Sequence, residues 1–158
     1  MQYGIKTTTL FAPNMYGPGD SADPDKAHAL NALISKFLCA QKNSEACVTV
    51  WGTGNPVREW LYVKDFSRIV AQILQESCYF DEPVNIAQNY GISIKALVDI
   101  IRQNVGFEGD IVYDTTKADG APKKVMDDAR FKAVFPSFVF TPFERGIPET
   151  IEYYKQCL

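Results

Sequence analysis

Four short segments of this 158-residue chain carry residue types that can bind or react with a small molecule. The first is Tyr-Gly-Pro-Gly-Asp at 16–20, which with the preceding 12–15 follows a β-rich run at 5–11. That run is typical of a strand, and in α/β sheets ligands bind at the carboxyl ends of strands. The alternative is a plain Gly/Pro turn.

An aromatic residue and a cation flank a glycine turn at 51–58. Trp51 begins Trp-Gly-Thr-Gly, and Arg58 comes four residues after that turn. A guanidinium binds phosphate oxygens with two parallel donors, and an indole can stack on a planar base. The pair therefore suits a nucleoside diphosphate. The alternatives are a salt bridge between Arg58 and Glu59, and ordinary core packing of Trp51.

The other two segments are a charged loop at 117–124 and a single histidine. In the loop, Asp119 and Lys124 could present a carboxylate to hydroxyls and an ammonium group to phosphate, although most such clusters are simply solvated. His28 is the side chain suited to proton exchange near neutral pH. Its alternative role is packing or capping at the start of a helix.

The composition favours one globular domain, because 158 residues of which 46% are hydrophobic can bury a core. The net charge is −3 and the cations are scattered, whereas nucleic-acid binding needs clustered cations. No apolar run approaches the roughly 20 residues of a membrane span, and positions 1–6 lack the features of a signal peptide. We expect a cytoplasmic protein with no nucleic-acid or membrane partner.

The cysteines lie far apart without a Cys-x-x-Cys pair, and the chain has only one histidine. This pattern argues against a zinc site, so we expect no bound metal. We expect reduced thiols that mostly pack in the interior, at Cys39, Cys47, Cys78 and Cys157.

Alternating strand and helix patterns predict one mixed α/β domain. Strands are expected at 5–11, 48–51, 58–63, 83–87 and 111–114, helices at 25–41, 66–74 and 94–105 and from 141 onward, and loops at 12–25 and 117–124. Asp65 and Ser93 are expected as N-caps, and Gly106 as a helix stop. Thr141 should open a capping box, and Pro148 should kink or delay that last helix.

In chain order, these pieces resemble the extended short-chain dehydrogenase/reductase family of NAD-dependent epimerases and dehydratases, and within it the GDP-L-fucose synthases. The resemblance rests on 14–18, 26–33, 50–54, 58–65, 85–86 and 117–124. Tyr-Gly-Pro and Arg-Glu-aromatic-Leu-x-Val-x-Asp are typical of the whole family. The segment around His28 and the 117–124 loop favour the fucose synthase branch.

The resemblance implies a role for each candidate residue. His28 would be the catalytic histidine, a proton donor or acceptor in epimerisation that also touches the cofactor. The nicotinamide end of NADP(H) would be lined by Ala12, Pro13, Asn14 and Met15. The GDP-sugar would be held by Lys36, Trp51, Arg58, Asp119 and Lys124. Lys36 stands where the family usually has an arginine, so the charge is kept and the two-pronged donor is lost.

By the same resemblance, the family's Gly-rich fingerprint, its catalytic Ser/Thr and Tyr-x-x-x-Lys residues and its epimerising cysteine would precede Met1, and none of the four cysteines present stands in that cysteine's place. The resemblance thus implies that 1–158 is a small substrate-binding domain with residual Rossmann-sheet elements. The dinucleotide-binding half would be a missing partner. Such a chain would be inactive alone, and an exposed edge of the 5–11 strand would invite self-association. The alternatives are another NAD(P)-dependent sugar-nucleotide epimerase or dehydratase, or a non-catalytic module that binds a nucleotide or a partner.

Overall fold

A computed structural model describes residues 3–77 and 79–158, and in these residues strands and helices alternate along the chain. The strands are β1 Leu10–Phe11, β2 Asn14–Tyr16, β3 Cys47–Trp51, β4 Val57–Arg58, β5 Trp60–Tyr62, β6 Val84–Asn85, β7 Ile92–Ser93, β8 Asp110–Asp114 and β9 Lys123–Lys124. The helices are α1 Ala29–Lys42, α2 Val63–Gln75, α3 Ile94–Val105, α4 Ala129–Val134 and α5 Phe143–Cys157. The predicted α/β class is confirmed.

The strands of the described residues pair in small, separate sheets. Three of these sheets are parallel pairs: β1 with β6, β2 with β5, and β3 with β8. The fourth has the order β7-β4-β9, in which β4 runs antiparallel to β7 and parallel to β9. Two of these sheets position predicted site residues, since β2 carries Asn14 and β4 carries Arg58.

The larger core lies among α1, α3 and α5, beneath β3. Its apolar residues recur at helical spacing, as predicted for α1 and α3, and burying each contributes roughly 1.5–3 kcal/mol. Phe37 of α1 meets Phe107 edge-on, with ring centroids 5.5 Å apart. The fully buried members include Leu30, Ile34, Phe37, Leu97, Ile101, Ile147, Ile151 and Tyr154.

A second core, not predicted from the sequence, joins β5, α2 and β6 to α4. Leu61, Ile69 and Ile86 are fully buried in it. Phe131 of α4 packs against Phe135, with ring centroids 5.1 Å apart, and also contacts Phe138 and Phe140. This aromatic cluster anchors the segment that leads into α5.

The caps of α3 are those predicted. The Ser93 hydroxyl accepts from the Ala96 backbone N–H at 3.1 Å. Gly106 ends the helix with φ +76°, a left-handed conformation that costs glycine little.

The predicted caps of α2 and α5 are wrong, for one shared reason. Asp65 is buried inside α2, where its carboxylate accepts from the Thr141 backbone N–H at 2.7 Å and from the Thr141 hydroxyl at 2.8 Å. Tyr62 and Pro142 therefore occupy the N-cap positions without side-chain caps. Pro148 lies inside α5, which still begins at Phe143, so the helix is not delayed.

The predicted irregular and extended segments also differ from the structure. Only Leu10–Phe11 of the 5–11 run forms a strand, and it pairs with the two residues of β6. The predicted 12–25 loop contains β2, the 117–124 loop ends in β9, and the 58–63 strand is split at Glu59. The buried Glu59 carboxylate accepts from the backbone N–H groups of Gln88 and Met126, at 2.6 and 2.7 Å.

Candidate functional site

A cleft of about 430 Å³, called the His28 cleft below, lies over β2 and the start of α1. It brings together four residues that the resemblance assigned to cofactor contact: Pro13, Asn14, Met15 and His28. Met15 is 38% exposed, so apolar surface is available there to a ring. Ala12 is exposed and does not line this cleft.

Asp20, the last residue of the Tyr-Gly-Pro-Gly-Asp segment, holds His28. Its Oδ2 lies 3.0 Å from His28 Nδ1 and accepts from the His28 backbone N–H at 2.8 Å. Asn31 donates to the same oxygen at 2.9 Å, and its own carbonyl oxygen accepts from the Gly17 N–H at 3.2 Å. Burial would raise the pKa of Asp20, but these hydrogen bonds together with one from the Ser21 N–H outweigh it and lower the pKa to about 2.

A second cleft of about 180 Å³, the Arg58 cleft, adjoins the first. Its wall contains three of the predicted substrate contacts, Trp51, Arg58 and Asp119, together with the buried Trp60. Asn14 lines both clefts, and its amide donates to the Glu59 backbone carbonyl at 3.4 Å. Residues far apart in sequence thus converge around one asparagine.

Asp119 ties its loop to the glycine turn after β3. Its carboxylate accepts from the Thr53 hydroxyl at 2.6 Å and from the Thr53 backbone N–H at 2.7 Å. These bonds, the hydroxyl first, lower the pKa of Asp119 below its ordinary value. Gly52 permits the approach, because its φ is +82° and a Cβ there would collide with the Asp119 carboxylate.

Arg58 does not form the alternative salt bridge with Glu59, because the Glu59 carboxylate accepts from two backbone N–H groups, those of Gln88 and Met126. The Arg58 guanidinium donates to the Val57 carbonyl at 2.9 Å and to the Asp119 carbonyl at 3.2 Å. A guanidinium has five N–H donors, so donors remain for a ligand.

Trp51 is 64% exposed, which excludes the alternative of core packing. Two ammonium groups lie against its indole, that of Lys36 at 5.1 Å from the ring centroid and that of Lys117 at 5.5 Å. Lys36 and Trp51 also line a third cleft of about 380 Å³. Lys124 is exposed opposite Arg58 in the β4–β9 pair and does not line the Arg58 cleft.

Sequence reasoning missed several residues of this region. Asp20 stands in a motif already singled out, and Asn31 lies in the first turn of α1, three residues after His28, so spacing could have linked them. Trp60 and Lys117 gave no comparable signal, because their proximity to the clefts depends on strand pairing and on the fold of a loop.

Residues 3–77 and 79–158 contain no cluster of three or more His, Cys, Asp or Glu side chains able to hold a metal ion. Nor does any helix in those ranges reach the length and apolar character needed to cross a membrane. Cys39, Cys47 and Cys157 are free thiols. Cys47 and Cys157 are exposed, so the expectation of mostly packed cysteines is wrong for these two, and Cys78 lies outside the described residues.

The chain is similar in sequence to known proteins. The sequence profile described as the NAD dependent epimerase/dehydratase family matches residues 1–87. The GDP-L-fucose synthase of Sinorhizobium fredii is 38% identical over 130 residues, which cover 82% of this chain and 41% of the relative. GDP-L-fucose synthase 1 of Arabidopsis thaliana is 34% identical over 157 residues, which cover 98% of this chain and 47% of the relative.

A solved structure has the same fold. A GDP-L-fucose synthetase from Naegleria fowleri, determined bound to NADP, matches with a TM-score of 0.86 and 31% sequence identity. The match covers 94% of this chain and 46% of that one. The chain therefore spans less than half the length of each of these proteins. The resemblance drawn from the sequence is confirmed.

Proposed function

Because the chain belongs to the NAD dependent epimerase/dehydratase family, we propose that it is the sugar-nucleotide-binding half of an NADP-dependent epimerase/reductase of the GDP-L-fucose synthase type. The observation that carries the proposal is the convergence of Trp51, Arg58 and Asp119 in a cleft that meets the His28 cleft at Asn14. A ligand spanning both clefts would place its sugar between the nucleotide contacts and the histidine.

Cations and an exposed indole suit the nucleotide. The donors that Arg58 keeps free can bind diphosphate oxygens in a fork, while Lys36 acts as a point charge. A planar base can stack on Trp51, whose exposed ring is flanked by Lys36 and Lys117. We infer that Asp119 keeps the glycine turn in place and offers its remaining lone pairs to hydroxyl groups.

His28 is the proposed acid–base group. A 4-keto group acidifies the hydrogens at C3 and C5 of the sugar, so an acid and a base on opposite faces can invert both centres through enolates. His28 would carry one of these protons. Its side chain is 77% exposed and held by Asp20, which leaves the ring accessible from the cleft.

The His28 cleft fits the nicotinamide end of NADP(H) in the polarity of its lining. Asn14 offers an amide for the carboxamide of such a ring, and the exposed Met15 offers apolar contact. When bound, NADPH supplies the hydride that reduces the 4-keto group. We infer that the phosphate-binding Gly-rich turn belongs to a separate dinucleotide-binding half, because 1–158 contains no Gly-x-Gly-x-x-Gly motif.

Calorimetric titration of the chain with GDP-mannose, UDP-glucose and dTDP-glucose tests the nucleotide assignment. We expect the lowest Kd for GDP-mannose. Arg58→Ala should weaken its binding by on the order of tenfold or more, because a hydrogen bond to a charged group contributes roughly 1.5–3 kcal/mol. Arg58→Lys should recover only part of that loss. Arg130→Ala is the matched control, since Arg130 is exposed and pairs with Glu82.

Two other outcomes would redirect the proposal. Tighter binding of the UDP- or dTDP-sugar would assign the chain to another sugar-nucleotide epimerase or dehydratase of the family. Absence of nucleotide binding would instead favour a non-catalytic, partner-binding module.

The coding sequence before Met1 tests the proposed division into halves. We expect it to encode a Gly-rich fingerprint, and we expect the chain by itself not to oxidise NADPH with the keto-sugar. Turnover by the chain alone would contradict this division. Cytoplasmic location stays a prediction.

A further inference from the structure

Asp20 is an anionic neighbour of His28. Asp20 Oδ2 receives three contacts: His28 Nδ1 at 3.0 Å, the His28 backbone N–H at 2.8 Å and the Asn31 amide at 2.9 Å. One carboxylate oxygen therefore holds both the backbone and the ring of the histidine. Two separate attachments fix where the ring lies relative to the start of α1.

Asp20 is itself fixed in place. Asn31 is buried at 2% exposure and bridges Asp20 to the Gly17 N–H at 3.2 Å. The Asp20 Oδ1 atom accepts from the Ser21 N–H at 2.8 Å. With its pKa lowered to about 2, the carboxylate stays ionised across the pH range in which a histidine gains and loses its proton.

An ionised carboxylate can only accept hydrogen bonds, so the ring nitrogen facing it must carry a proton. That nitrogen is Nδ1. In the neutral ring, Nε2 is then the unprotonated nitrogen, and no described residue hydrogen bonds to it. The protonation of one histidine nitrogen is commonly set by the bond that the other one makes.

We propose that Asp20 is a positioning residue, which holds His28 as the Nδ1–H tautomer so that Nε2 is the nitrogen that exchanges a proton with the substrate. The tautomer follows from the contacts of Asp20 alone. The exchange with substrate rests on the proposed function of His28.

The only histidine of the chain makes the tautomer directly measurable by ¹⁵N NMR. At a pH where the ring is neutral, the wild-type chain should show a protonated Nδ1 and an unprotonated Nε2. Asp20→Asn should shift the ring toward the Nε2–H tautomer, and Asp20→Glu should restore the wild-type pattern. Asp23→Asn is the control, because Asp23 lies in the same loop and contacts Asp25 and Lys26 instead.

The ¹⁵N spectrum tests whether Asp20 sets the tautomer of His28. A wild-type ring that is mainly Nε2–H, or one unchanged by Asp20→Asn in a chain whose circular dichroism is intact, would overturn the proposal. If Asp20→Asn does not fold, the wild-type tautomer and the Asp20→Glu spectrum still decide it.

The functional part is tested in the full-length enzyme with the keto-sugar. Asp20→Asn should slow exchange of the C3 and C5 hydrogens with solvent by roughly tenfold at little change in KM, less than the roughly 10²–10⁴-fold that general acid–base catalysis contributes. An unchanged exchange rate would overturn it. Normal exchange in His28→Asn would remove the proposed role of His28 while leaving the tautomer result standing, so the two failures can be told apart.

Discussion

Glu59 has a structural role that its place in a ligand-binding motif conceals. The side chain is 1% exposed and forms no ion pair with any described residue. It accepts two backbone N–H groups, from Gln88 and Met126, while its own N–H donates to the Lys124 carbonyl at 3.1 Å. Glu59 therefore joins the strand that carries Arg58 to two distant loops.

Removing this carboxylate should destabilise the fold. We expect Glu59→Ala to lower the free energy of unfolding by about 3 kcal/mol, because two partly buried N–H groups lose a charged acceptor. Glu59→Gln, which keeps one acceptor oxygen, should cost less. Urea denaturation measures both, with the exposed Glu152→Gln as control, for which a change within about 0.5 kcal/mol is expected. Equal stability of Glu59→Ala and the wild type would contradict this role.

Among the elements, α5 approaches β2 through a glycine. A Cβ at Gly146 would collide with the Tyr16 hydroxyl. That hydroxyl is buried without a hydrogen-bond partner among the described residues, while the Tyr16 ring packs between Tyr62 and Phe143. Close packing, and not helix propensity, therefore requires glycine at this position.

A double-mutant cycle tests this contact. Gly146→Ala should destabilise by roughly 1–3 kcal/mol from overpacking, although alanine is the better helix former. Tyr16→Phe should be nearly neutral because it removes an unpaired hydroxyl. The double variant should recover much of the loss in thermal unfolding. Additive effects of the two changes would show that the collision is not the cause.

Helices α2 and α5 are also joined by a charge cluster at their solvent-facing side. Glu149 accepts from Lys64 Nζ at 2.7 Å, from the Tyr62 hydroxyl at 2.8 Å and from Arg145 Nε at 3.0 Å. These contacts, with Lys64 the largest, lower the pKa of Glu149 from 4.5 to about 2.

The pH dependence follows from this lowered pKa. A carboxyl whose pKa is lower in the folded state stabilises the fold above its unfolded pKa and loses that effect as the pH falls toward the folded value. We expect the wild type to exceed Glu149→Gln by roughly 0.2–1 kcal/mol near neutral pH, the size of an exposed ion pair. The difference should shrink from about pH 4.5 and vanish near pH 2. Urea denaturation at several pH values checks this, and a constant difference would contradict it.

Helix caps separate what the sequence could predict from what it could not. The ends of α3 were predictable because Ser93 bonds three residues ahead and Gly106 bonds back to Arg102, all within one segment. Asp65 and Thr141 are good capping residues by type, but they bond to each other across 76 positions. Single-chain patterns contain no information about such a pairing.

For the whole molecule, the candidate site residues could be picked out from local sequence, but the way they come together in space could not. The types and spacing of Trp51, Arg58 and His28 permit nucleotide and proton chemistry, and these roles stay predictions. The convergence of the two clefts on Asn14 depends on pairing β2 with β5, and β2 itself is hidden in a segment whose composition is typical of a loop. The α/β class was predictable because it needs only the order of the elements.

The whole chain is also expected to self-associate, through the edge of β1. In the described residues β1 has a strand partner on one side only, and the nearby Tyr3, Ile5 and Phe11 are more than half exposed. We expect concentration-dependent association of the chain by analytical ultracentrifugation, reduced by Phe11→Lys. Leu74→Lys, at another exposed apolar position on α2, should leave it unchanged. A monomer at all concentrations would contradict the prediction.

Asn14 forms part of the wall of both clefts, so the proposed cofactor and the proposed sugar nucleotide would meet the same side chain. Such linkage is symmetrical by thermodynamic necessity. Whatever factor the proposed dinucleotide would impose on the affinity for the proposed sugar nucleotide, the sugar nucleotide would have to impose on the affinity for the dinucleotide. We expect Asn14 to contribute to this common coupling factor, and its replacement to bring the factor closer to one.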